Sequence, residues 1–133
     1  MSYSRDYLEQ YLSDASYYIE RLIEDIENQE DYMFDFLDDS YANVEDAYDL
    51  LCDIREWDDG NKYNYYTKYI KILKKCMDDL YNIDEDNPDI DTEKLVEMLK
   101  DVMEKVDGIP TGDFDEYDYN GYKEENEGEV WND

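Results

Sequence analysis

Forty Asp and Glu stand against twelve Lys and Arg in a chain of 133 residues that has no histidine, leaving 28 net negative charges. That length accommodates one domain, or one domain and a tail, and the charge far exceeds the magnitude of about 2 to 8 that keeps a small domain soluble. Absence of His removes the commonest general base and zinc ligand, and the five glycines form neither a phosphate loop nor a dinucleotide-binding fingerprint.

The expectation is a protein that is not an enzyme and has no cofactor, no catalytic residue and no metal site. No apolar run approaches the roughly 18 residues of a membrane span, and no basic start leads into an apolar stretch. A cytoplasmic location away from the membrane is therefore expected. Leu, Ile, Val and Phe total 27 of 133 residues, about the 20% level below which highly charged chains are disordered. Sixteen Tyr residues tip the balance toward folding, because each ring buries apolar area while its hydroxyl stays at the wet edge.

Between Ser4 and Asn28, Leu8, Tyr11, Leu12, Ala15, Ile19, Leu22, Ile23 and Ile26 recur at steps of three and four, which predicts a first helix with one apolar face. Ser4 suits its N-cap. The regular stripe serves as a core face or, equally well, as the seam of a homodimer. Asp31 to Leu37 is too dense in apolar residues for one stripe and reads as a short helix or buried turn. After Ser40, a second cap candidate, Val44, Ala47, Leu51 and Ile54 predict a helix to about Trp57, and Asp58, Asp59, Gly60 and Asn61 predict its stop.

Tyr66, Ile70, Leu73, Met77 and Leu80 predict a third helix from Tyr63 to Tyr81. A loop containing Pro88 follows. Asp91 or Thr92 then caps a fourth helix through Val106, with Leu95, Leu99, Val102 and Val106 inward, and Asp107, Gly108 and Pro110 end it. Cys52 and Cys76 match no zinc or redox spacing and read as reduced core or boundary residues. The fold class expected is all-α: a small bundle of about four helices over 1–106, with an acidic, irregular C-terminal tail or appendage over 107–133.

The acids are unevenly distributed: 8 in residues 1–30, 11 in 31–60, none in 61–76, 11 in 77–106 and 10 in 107–133. Residues 61–76 instead hold Lys62, Lys68, Lys71, Lys74 and Lys75, a basic patch that reads as counter-charge for carboxylates on neighbouring helices. In the second helix Glu45, Asp46, Asp49, Asp53 and Glu56 step by three or four opposite the apolar stripe, with consecutive carboxylates about 5 to 6 Å apart. Asp35, Asp38 and Asp39 extend the row on one side and Asp58 and Asp59 on the other. An ordinary solvated face mixes signs so that pairs support the helix, whereas residues 31–60 hold eleven acids and only Arg55. These ten carboxylates are the candidate partner-binding residues. In the tail, Glu116, Asp118, Asn120, Gly121, Glu124 and Glu127 fall on calcium-loop positions, but Glu at the first position and Lys123 in place of an apolar residue depart from the template.

The acidic helical body, the row from Glu45 to Glu56, the many aromatics and the acidic run Glu124 to Glu129 resemble the DNA-mimic inhibitors of phages and mobile elements, of the anti-restriction and anti-CRISPR type. The resemblance implies a decoy that occupies the basic nucleic-acid-binding groove of a host defence protein, a restriction enzyme or CRISPR effector, in the host cytoplasm if the gene is carried by a phage. The partner would be a basic nucleic-acid-binding protein such as a nuclease, with no direct contact to nucleic acid. Two other readings fit the charge: an immunity protein or antitoxin that neutralises a nuclease toxin through a few anchors, and an acidic chaperone of basic proteins.

Overall fold

A computed structural model describes residues 4–31, 33–57 and 63–113. Four helices follow one another among these residues, α1 (Ser4–Glu27), α2 (Leu37–Trp57), α3 (Tyr63–Tyr81) and α4 (Thr92–Asp107), with a 3-10 turn at Thr111–Asp113 and no strand. The described residues form an all-α bundle of four helices, and no helix among them is long and apolar enough to cross a membrane.

The helices alternate in direction. Arg55 near the end of α2 donates from Nη1 to Thr67 Oγ1 near the start of α3 at 3.0 Å, while Tyr41 near the start of α2 meets Tyr81 at the end of α3, ring centroids 6.1 Å apart. Lys100 of α4 pairs with Glu27 at the end of α1 at 3.8 Å, and the Thr111 hydroxyl donates to Glu9 Oε1 near the start of α1 at 3.0 Å. Each helix therefore packs antiparallel to its neighbours, the arrangement that short connections favour.

The apolar stripes converge on one core. Leu8, Ala15, Ile19 and Leu22 of α1, Val44, Ala47, Leu50, Leu51 and Ile54 of α2, Tyr66 and Leu73 of α3, and Leu99 and Val102 of α4 have no solvent exposure. The α1 stripe lies against α2 and α4, so it is spent inside the monomer and is not free to serve as a dimer seam. Tyrosine acts as boundary filler: Tyr66 is fully buried, and Tyr7, Tyr41, Tyr48, Tyr65 and Tyr69 are half-buried against the core. Pairs such as Tyr65–Tyr69, edge-on at 5.2 Å, and Tyr18–Phe36, stacked at 5.7 Å, supply the apolar area that a shortage of aliphatic residues withholds.

One expected cap resolves differently. Ser4 stands at the start of α1 and is buried. Ser40 is not a cap: α2 begins three residues earlier, and the buried Ser40 hydroxyl donates to Phe36 O at 2.7 Å, the same carbonyl that accepts from Ser40 N. The physical reason lies in the dense segment before it. Met33, Phe34 and Phe36 form a turn packed on the core, and Leu37 N donates to Phe34 O at 3.1 Å, so the helix starts from tertiary burial. Asp91 is the cap of α4, its Oδ1 accepting from Lys94 N at 3.2 Å.

At the other end of α4, Gly108 N donates to Glu104 O and Lys105 O, and Ile109 returns to the core. The chain thus turns back after α4, and the 3-10 turn Thr111–Asp113 packs against α1. The calcium-loop positions and the rest of the expected tail lie outside the described residues.

Candidate functional site

α2 carries two faces because its apolar residues recur at helical steps. Leu37, Val44, Ala47, Leu50, Leu51 and Ile54 are buried against α1 and α3. At about 100° per residue, Asp38, Glu45, Asp49 and Glu56 fall on a single line along the opposite side. That line is about 27 Å long, from 18 residues rising 1.5 Å each.

The structure grades the ten expected residues. Asp35, Asp38, Asp39, Asp49 and Glu56 are exposed, whereas Glu45 on the line and Asp46 and Asp53 on its flank are half-buried. Asp46, Asp49 and Asp53 also hold interactions within the chain. Asp35 precedes the helix, in the turn that launches it, and extends the exposed set beyond Asp38. Asp58 and Asp59 lie outside the described residues.

The electrostatics of the row are those of crowded like charges. The Asp49 carboxyl is pushed above its ordinary range, first by partial burial and then by the negative charges of Glu45 and Asp46. Arg55, the sole cation of α2, donates to Thr67 on α3. Tyr48 and Cys52 share a hydrogen bond on the flank toward α3, and burial pushes both groups up. Burial holds the Cys76 thiol higher still, at about 11. Both cysteines are free and are protonated near neutral pH, so neither is an activated nucleophile.

The lysines do not behave as the sequence led us to expect. Lys74 and Lys75 pair with Asp78 and Asp79 of their own helix, at 3.2 and 2.6 Å, where the expectation was pairing across to other helices. These i to i+4 pairs are within reach of any helix surface. They escaped notice because the acid-free block ends at residue 76, one turn short of the end of α3. Sequence reasoning also missed Trp57, 42% exposed at the end of the acidic row; a terminal aromatic is pinned to neither face by periodicity alone. Among the described residues, no group of three or more Cys, Asp or Glu is arranged to hold a metal ion.

No family model, curated protein or solved structure matches this chain. What the site can do therefore follows from its own chemistry: a rigid helix holds carboxylates in a line, and such a line accepts ion pairs and hydrogen bonds from Lys and Arg.

Proposed function

We propose that this chain is a DNA-mimic inhibitor that occupies the basic nucleic-acid-binding groove of a defence nuclease, a restriction enzyme or CRISPR effector. The observation that carries the reading is the outer line of α2, where Asp38, Glu45, Asp49 and Glu56 run along a rigid helix that holds eight acids across Asp38–Glu56 and its preceding turn against a single cation. One strand of duplex DNA presents a negative charge about every 3.4 Å. The α2 line is sparser, and the flanking carboxylates Asp39, Asp46 and Asp53 thicken it. Cations that hold phosphates would find carboxylates in their place, and the field of the whole molecule would speed encounter.

The test is competition with duplex DNA for purified restriction endonucleases and CRISPR effector nucleases. The chain should displace DNA from its target, and Asp38→Asn/Glu45→Gln/Glu56→Gln should weaken that displacement by about tenfold or more while leaving the helical signal unchanged. These three positions are preferred to Asp46, Asp49 and Asp53 because the latter also engage other groups of the chain. Full potency in the triple variant would remove the row from the account, and a target without nucleic-acid function would end the mimic reading.

One observation favours a second reading, a plug for a single nuclease toxin. The exposed Trp57 beside Glu56 has the character of an interface anchor, since buried aromatics dominate such interfaces. Loss of binding in Trp57→Ala, with the acidic triple variant unaffected, would select it.

A further inference from the structure

A groove of about 400 Å³ runs where α1 meets the end of α4 and the turn after it. Glu9, Ser13, Ser16 and Glu20 step by four, three and four along its α1 wall, a line of about 16 Å at 1.5 Å per residue. Asp107 and Thr111 stand across from that line, and the buried side chains of Leu12, Val106 and Ile109 form the floor. The groove has an aromatic side as well. Tyr17 is 56% exposed, and its ring is braced: Tyr18 meets it edge-on at 5.3 Å and is itself stacked on Phe36 at 5.7 Å.

Among the described residues no cation lines this groove. Glu20 and Asp107 make no ion pair there, and Glu9 accepts from the Thr111 hydroxyl through Oε1. Arg21, next to Glu20 in the chain, is turned instead to Glu24 and the Phe36 ring. Positive charge is what the groove lacks.

We propose that this groove receives an extended, arginine-bearing segment of a basic protein partner. Charge complementarity sets the sign of the occupant, and the walls select arginine over lysine. A guanidinium lies flat on the Tyr17 ring, its five donors find acceptors among the carboxylates and hydroxyls, and its aliphatic stem covers the apolar floor. Five extended residues span about 16 Å, so arginines at the two ends of such a segment reach Glu9 and Glu20 together. Glu9, Ser13, Tyr17, Glu20 and Asp107 are all exposed. A small free cation would leave so open a groove largely uncovered, whereas a segment carried on a partner's surface closes it. No residue of α2 lines the groove, so the site is separate from the acidic row and stands without the DNA-mimic reading.

Amide NMR titration of the full chain with two capped pentapeptides tests the proposal, one with Arg at both ends of three Gly and one with Lys in their place. The arginine peptide should shift Ser13, Ser16, Tyr17, Glu20 and Asp107 ahead of the α2 row and bind severalfold more tightly than the lysine peptide. Glu20→Gln/Asp107→Asn should weaken it about tenfold and Tyr17→Ala severalfold, with Tyr17→Phe retaining the affinity because the ring face is kept, and with the helical signal unchanged throughout. The variant Asp38→Asn/Glu45→Gln/Glu56→Gln should bind the arginine peptide as the parent chain does. Shifts spread evenly over all acidic surfaces, equal binding of the lysine peptide, spermidine bound as tightly as the arginine peptide, or unchanged affinity in the groove variants would each overturn the assignment. A chain that holds the arginine peptide in the groove yet displaces no DNA would support the groove and count against the mimic reading alone.

Discussion

Asp49 shows what the acidic row costs. Its carboxyl is raised above the ordinary value by burial and by Glu45 and Asp46, so between the unfolded and folded pKa values the folded state holds more proton. Stability linked to this group is therefore fully present at low pH and falls as pH rises through that window, opposite in sign to a salt-bridged Asp. Asp49→Asn should raise the melting temperature at neutral pH, by the equivalent of about 0.5 to 1 kcal/mol for relieving two like-charge neighbours, and the gain should vanish as the pH is taken below the carboxylate range. Thermal melts of both proteins from below the carboxylate range to neutral pH check this; a gain that persisted at low pH would mean that charge is not the cause. The i, i+3 and i, i+4 spacing from Glu45 to Asp49 is visible in the sequence, but the contribution of burial is not. It depends on how deeply α2 settles between α1 and α3.

At the scale of the element, periodicity located all four helices, and α3 runs from Tyr63 to Tyr81 as its spacing predicts. Where a cap is local chemistry, the sequence also gives the boundary. Asp91 caps α4 through its own side chain, and Asp91→Ala should destabilise the protein by about 1 kcal/mol, with Asp91→Ser retaining most of the stability; equal losses in the two variants on chemical denaturation would show that the cap is not what matters. α1 ends at Glu27, within one residue of where its spacing stops, and closes through Gln29 in the left-handed region at φ 54, its N–H donating to Ile26 O and that of Glu30 to Asp25 O. Where a boundary is tertiary, the sequence misleads. α2 begins at Leu37 because Phe34 and Phe36 are held against the core, and the Ser40 that looks like a cap is carried inside.

For the whole molecule, the sum of charges governs stability more than any pair does. The ion pairs at Arg21–Glu24, Lys74–Asp78 and Lys105–Asp101 are exposed and lie within single helices, where solvent screening leaves each pair little net worth, whereas the net charge repels itself across the entire fold. Salt screens both, and the repulsion is the larger. The melting temperature should rise steadily from low to moderate salt; a steady fall would mean that attractive pairs dominate. The sequence by itself determined the all-α class, the four helical stripes and the segregation of acid from Lys, because each follows from residue spacing at the 3.6-residue period. Only the tertiary structure decided that the α1 stripe is core, that Glu45, Asp46 and Asp53 are half-buried while Asp38, Asp49 and Glu56 are exposed, and that Trp57 stands exposed at the end of the row. Spacing fixes the angle of a side chain around its own helix, but exposure depends on which neighbours cover that angle, and neighbours are a property of the packed bundle.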